Sequence, residues 1–259
     1  MSFNEYMKGY GAVIEVCGHA LMFAPESQRS NKELVLAAVK NYGPALGYAS
    51  DDLINDEEIV WEAIKNDLEA LFYVGNDLYY NRDFILKVVT ELGDALRYAE
   101  DWFDGKEIVL KAVTSDGQVF ECIPHALQED REIVLAAVKS YDMALGWVSY
   151  DFQNDKEIVL AAVRNDPFSL VYANDELQCD REIVMEALKQ DGRVLSCVHE
   201  SLRQDKEMVM TAVKQHPDVL SAVQNEPLSG DKEIVLAAVS NRGACLSLAS
   251  EELRARRLS

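Results

Sequence analysis

The sequence predicts an all-α fold, an α-solenoid of about ten 25-residue helix-turn-helix repeats. Three observations predict it. The nine residues from Asp155 to Val163 recur letter for letter from Asp231 to Val239. Close relatives of that motif begin at Asn31, Asp56, Asn81, Gly105, Asp130, Asp180 and Asp205, so successive starts lie 25, 25, 24, 25, 25, 25, 25 and 26 residues apart. Gly and Pro number only 13 and 6 in 259 residues, too few for a turn-rich β-sandwich or barrel. A fixed period of this kind marks units that cannot cover their own apolar faces and must stack on their neighbours.

Each repeat reads in order from its first residue. Position one is Asp or Asn in every clear copy except Gly105, and a side chain of that type accepts hydrogen bonds from the orphan amides of a helix start. An acidic residue two positions later suits the positive end of the helix dipole. Positions four, five, eight and nine are apolar, as in Ile133, Val134, Ala137 and Val138, which is one buried stripe on a helix of about three turns. Position eight is Ala in all clear copies but one, Val88, and so small a residue lets helix axes approach to about 8–10 Å. A cation follows at Lys40, Lys65, Lys139, Arg164, Lys189 and Lys214, then Gly43, Gly93, Gly117, Gly192 or Gly243, expected as a left-handed cap. A second apolar set, as in Ala45, Leu46, Tyr48, Ala49 and Leu53, predicts a shorter second helix ending just before the next cap. Pro167 and Pro217 replace the glycine in two repeats, where each can end one helix and open the next. Stepping back one period from Asn31 gives a degenerate first repeat over residues 6–30. Regular repeats fill 31–253, and a short basic end, 254–259, carries Arg254, Arg256 and Arg257. The whole of 1–259 is read as a single solenoid domain, a curved rod on the order of 100 Å at roughly 10 Å per repeat.

Charge narrows the function classes. The 45 acidic residues outnumber the 25 Lys and Arg by 20, and a net charge of −20 repels nucleic-acid phosphates and anionic lipid alike. No run approaches the roughly 18 to 20 apolar residues of a membrane span. Five scattered cysteines, and a beginning interrupted by Glu5 and Glu15, lead to the expectation of a reducing, cytoplasmic setting.

The pattern D-[KR]-E-I-V-L-A-A-V-K, followed by G-x-A-L-x-Y-A-S-x-x-L, closely resembles the repeat family called domain of unknown function 4116, from about Asn31 to Leu253. The resemblance implies a helical repeat fold and no catalytic motif. It also implies kinship with proteins of microbial eukaryotes and effectors of intracellular bacteria. Departures lie at Tyr6–Gly18, at Gly105, and at Pro227 to Gly230, where one extra residue lengthens the junction.

Chemistry-bearing residues are few. Cys122 with His125, and Cys197 with His199, place a thiol near an imidazole, but both cysteines sit at position eighteen, filled elsewhere by Tyr48, Tyr73, Tyr98, Trp147 and Tyr172. They read as small residues in a shared socket, and neither a metal nor a cofactor is expected. The aromatic column itself reads as core filling in preference to a ligand platform, and its loss at Cys197 and Ala222 implies different packing or a shallow groove there. The acids after the second helix recur in register as Asp51, Asp52, Asp77, Asp101, Asp151, Asp175, Glu176 and Glu200, with Glu226, Glu251 and Glu252 beyond. They should form a ridge along one edge, either a solvated edge or a docking strip for a basic partner. Positions fourteen and seventeen vary freely and should lie near the surface, which makes Phe72, Arg97, Met143 and Phe168 candidate contacts. The expected function is a non-catalytic interaction scaffold whose acidic surface holds a protein partner of basic or mixed charge, with no nucleic acid, no membrane, and a monomeric or weakly self-associating chain. Two alternatives stand beside it: a regulatory or effector module acting on another microbial protein, in the host cytosol if secreted, and an enzyme with a site in a groove between repeats.

Overall fold

The structure, a computed structural model, describes residue 14, residues 17–223 and residues 227–241. Nine ten-residue α-helices carry the fold among these residues. We label them α1 (Lys32–Asn41), α2 (Glu57–Asn66), α3 (Arg82–Glu91), α4 (Lys106–Ser115), α5 (Arg131–Ser140), α6 (Lys156–Asn165), α7 (Arg181–Gln190), α8 (Lys206–Gln215) and α9 (Lys232–Asn241). Each opens where the repeat pattern places it. The Asp56 carboxylate accepts the Glu58 and Ile59 amides at 3.1 and 3.2 Å, and Asn31, Asn81, Asp130, Asp155, Asp180, Asp205 and Asp231 cap their helices in the same way. Gly105 caps α4 with no side chain.

The chain forms two compact units, Met1–Pro124 and His125–Ser259. In the first, α1 packs on α2 and α3 on α4, with the 3-10 segments between them stacking in the same file. In the second, α5, α6, α7, α8 and α9 pack in chain order, each on the next. Every substantial contact between elements joins a repeat to itself or to its immediate neighbour. The core is therefore a continuous seam inside each unit. Position-eight residues Ala38, Ala63, Val88, Ala112, Ala137, Ala187 and Ala212 are all fully buried in it, as are Leu46, Leu71, Leu96, Leu145 and Leu195 of the second segment or nearly so.

Two expectations need correction. The second element is no single helix. It is a 3-10 helix of five to seven residues, as in Gly43–Tyr48, Leu68–Tyr73, Pro167–Tyr172 and Pro217–Val223, except for the single α-turn Ala144–Trp147, and is followed in most repeats by a separate short turn such as Asn76–Tyr79 or Asp175–Gln178. Its first four residues, Gly43 to Leu46, are all buried. The α-helix ends where position twelve turns extended, as at Asp67 (φ −156°), and that aspartate's carboxylate then takes the Glu69 amide at 2.9 Å.

The glycine that follows is no left-handed cap either, since no described glycine has a positive φ. Its role is close approach. A Cβ on Gly43 would fall 2.5 Å from the carbonyl oxygen of Ala63 in the next repeat; Gly192 stands in the same relation to Ala212 at 2.5 Å and Gly93 to Ala112 at 2.6 Å. Gly243 lies outside the described residues, as do Cys245, Glu226, Glu251, Glu252 and the basic end at Arg254, Arg256 and Arg257.

Candidate interaction surface

Repeats are joined by two sets of polar contacts that use up much of the acidic charge. The cation at position two reaches forward to positions one and three of the following repeat. Lys32 Nζ lies 2.8 Å from Asp56 and 2.9 Å from Glu58, and Lys156 lies 2.8 Å from both Asp180 and Glu182. Arg131 bridges Asp155 and Glu157, Arg181 bridges Asp205 and Glu207, and Lys206 bridges Asp231 and Glu233. Arg82 meets Glu107 alone, because Gly105 stands where the aspartate would be. The hydrogen bond from Lys156, with those from the Ile183 and Glu182 amides, holds Asp180 below the usual carboxylate range against the opposing effect of burial. The D-[KR]-E triplet thus encodes a ladder as well as a helix start.

The second set works at position eleven. Asn66 accepts the Gly43 amide at 2.7 Å and donates to the Lys40 carbonyl at 2.9 Å. Gln215 repeats this on Gly192 and Lys189 at 2.9 and 2.7 Å. One amide side chain so satisfies both a free carbonyl at the end of the preceding helix and the first amide of the 3-10 segment.

The predicted edge acids lie apart from both sets. Asp51, Asp52, Asp77, Asp101, Asp151, Asp175, Glu176 and Glu200 are all exposed, on the short turns between the 3-10 segment and the next cap. Among the described residues none of them makes an ion pair. The four candidates at positions fourteen and seventeen part company. Phe72 is 66% exposed and Met143 47%. Phe168 is half-buried with the Arg193 guanidinium 6.0 Å from its ring centre. Arg97 is spent within the fold, paired with Asp94 and donating to the Gln118 carbonyl at 2.9 Å.

The aromatic column departs from its reading as core filling. Tyr73 is 44% and Trp147 52% exposed, while Tyr48, Tyr98 and Tyr172 are half-buried. Its rings are seated by position seventeen of the preceding repeat: a Cβ on Gly47 would fall 2.5 Å from Tyr73 Cδ1, and one on Gly146 3.0 Å from Tyr172 Cδ1. Phe72 meets Tyr98 edge to face at 6.0 Å, and His19 lies 5.5 and 5.7 Å from Tyr42 and Tyr48. Reading position seventeen of one repeat against position eighteen of the next would have exposed this pairing in the sequence.

Where the column gives way to Cys197 and Ala222, an open groove of about 410 Å³ is lined by Arg193, Ser196, His216, Asp218, Ser221 and Ala222, among others. His216 Nδ1 stands 3.6 Å from Asp191, which Arg193 first and His216 also hold below the usual carboxylate range. His199 is exposed, its Nδ1 within 2.8 Å of the Ser201 hydroxyl. Burial pushes the Cys122 thiol up, away from the thiolate form, although neighbouring Arg97 opposes it. Among the described residues no three or more His, Cys, Asp or Glu are grouped to hold a metal ion, and no helix is long and apolar enough to cross a membrane.

Comparison with known proteins gives one positive result. No curated protein and no solved structure matches the chain. The family described as a domain of unknown function (DUF4116) matches six times, over residues 12–54, 31–79, 81–128, 106–153, 130–178 and 180–226. Each match spans close to two of the 25-residue repeats, and together they begin inside the degenerate first repeat and stop before the lengthened junction at Pro227. With its stacked helical repeats and its family pattern running through most of its length, the chain belongs to the DUF4116 family.

Proposed function

We propose that this repeat protein is a non-catalytic scaffold that holds a protein partner through a basic or mixed-charge surface on that partner. The observation that carries the reading is the division of its acids. Most of those at positions one and three share a cation of the inter-repeat ladder, whereas among the described residues none of the eight edge carboxylates makes an ion pair. Unpaired edge acids of this kind in each unit, on a chain of charge −20, attract cationic partners at long range and do so less as salt screens them.

The test is titration of the full chain with labelled peptides of equal length, one lysine- and arginine-rich and one glutamate-rich, at low and at physiological salt. The basic peptide should bind, weaken as salt rises, and weaken again when Asp151, Asp175, Glu176 and Glu200 are changed together to Asn and Gln. Equal binding of both peptides, or an affinity for the basic one that ignores salt, overturns the reading.

A further inference from the structure

The aromatic surface of the first unit lies among carboxylates and is built of side chains that the packing of the core does not require. We infer that Tyr42, Tyr48, Phe72 and Tyr73, with Glu69 and Asp67 beside them, form the seat for an extended segment of the partner that carries arginine or lysine about every third residue. This rests on the proposed scaffold role and gives it a place and a partner chemistry.

The rings belong to two adjacent repeats. His19 joins Tyr42 to Tyr48 at 5.5 and 5.7 Å, Tyr73 lies on the bare backbone of Gly47 next to Tyr48, and Phe72 carries the surface on to Tyr98 at 6.0 Å. Three are open to solvent, Tyr42 36%, Tyr73 44% and Phe72 66% exposed, and Tyr48 is half-buried beside them. The surroundings are anionic. The Tyr42 phenol is pushed above its ordinary pKa, first by burial, then by Tyr48, Tyr73, Glu69 and Asp67, which gathers three phenols and two carboxylates around one place. Neither Glu69 nor Asp67 is in an ion pair among the described residues, and Asp67 is engaged only by the Glu69 amide at 2.9 Å.

An aromatic face beside an uncompensated carboxylate suits a guanidinium or ammonium group. The ring face attracts the cation, the carboxylate completes its charge, and the ring covers its apolar stem. An acidic segment would meet Glu69 and Asp67, anionic lipid would be repelled, and a second copy of a chain at −20 brings the same charge. The spacing follows from the stacking. Adjacent repeats lie roughly 10 Å apart, which an extended strand at about 3.3 Å per residue crosses in three residues. Gly47 has a particular part in this: its absent side chain leaves the space that the Tyr73 ring occupies, so that ring is already seated before binding.

The experiment uses the full chain and fluorescence anisotropy of a labelled peptide with arginine at every third position and glycine and serine between. A second peptide of the same composition has its arginines in one block. The variants are Phe72→Ala, Tyr73→Leu and Glu69→Gln, each checked for an unchanged far-ultraviolet circular dichroism spectrum, with Tyr73→Phe retaining the ring. The spaced peptide should bind about tenfold more weakly to Tyr73→Leu, several-fold more weakly to Phe72→Ala and Glu69→Gln, and nearly normally to Tyr73→Phe; the blocked peptide should bind the unmodified protein less well. Binding of both basic peptides that the ring variants leave within twofold overturns this inference while the scaffold reading stands. If neither basic peptide binds, this inference and the scaffold reading are both overturned.

Discussion

Gly192→Ala separates two accounts of the glycine at position thirteen by the sign of its effect. A glycine kept for a left-handed φ, or facing open space, has a different response from one kept for close approach. No described glycine has a positive φ, so alanine is allowed at the backbone, and in open space it would stabilise the chain by about 0.4–1 kcal/mol through a less flexible unfolded state. The structure gives the opposite sign. The added Cβ would stand 2.5 Å from the Ala212 carbonyl oxygen, 3.0 Å from its Cα and 3.1 Å from its carbonyl carbon, all rigid backbone inside α8. A comfortable carbon–oxygen contact is about 3.3 Å, so the two repeats must part by roughly 0.8 Å at this point. That stretches the 2.9 Å bond from the Gly192 amide to Gln215 and thins the contacts of Val194 and Leu195, which are fully buried. Overpacking of this kind costs about 1–3 kcal/mol, and against rigid backbone the upper half of that range applies, so subtracting the unfolded-state gain of about 0.4–1 kcal/mol leaves a net loss of about 1–2.6 kcal/mol. The assay is urea unfolding followed by circular dichroism, with amide hydrogen exchange to place the weakening at the α7–α8 junction. A midpoint that stays put or rises, at unchanged slope, refutes the close-approach argument.

Two further predictions concern the ladder. Asp180 and Asp231 are held low in the fold chiefly by Lys156 and Lys206, so their contribution is fully present above the unfolded carboxylate pKa of about 3.9 and is lost as pH falls through their lower folded values; the raised Lys156 and Lys206 contribute below about pH 10.4 and lose that as pH rises past it. Asp180→Asn keeps a good helix cap but loses the ion pair, so its unfolding midpoint measured from pH 7 to pH 3 should fall less steeply than that of the unmodified chain; parallel curves would exclude the ladder as a source of acid sensitivity. Gly105→Asp, at a backbone already extended (φ −105°, ψ 101°), should supply the missing cap of α4 and a second partner for Arg82, raising stability by a few tenths of a kcal/mol in the same urea assay once Ile108 has shifted its side-chain end. A loss of stability would mean that the Ile108 contact, 2.9 Å from the new Cβ, outweighs the cap.

Much of the architecture is local and therefore legible in one repeat. A capping Asp or Asn, an apolar stripe at positions four, five, eight and nine, and a buried Ala at eight act within a single helix, so Asp155 through Val163 specify α6 without reference to any other part of the chain. The exposure of Phe72 and Met143, and of the edge acids from Asp51 to Glu200, follows from positions that packing leaves free to vary. What the tertiary structure alone decided are relations between residues some 24 positions apart, such as Lys32 with Asp56. The same position-two cation is favourable at a helix start or unfavourable there depending on which carboxylates the next repeat brings beside it. Arg97 resembled a free contact, yet it pairs with Asp94 three residues before it, and stacking adds the Gln118 carbonyl of the next repeat. The glycines resembled caps until the carbonyls of Ala63 and Ala212 arrived above them. Periodicity records what each helix needs of itself, whereas the distance between two repeats is set by how their side chains interlock, and that distance determines which charges pair and which rings remain in water.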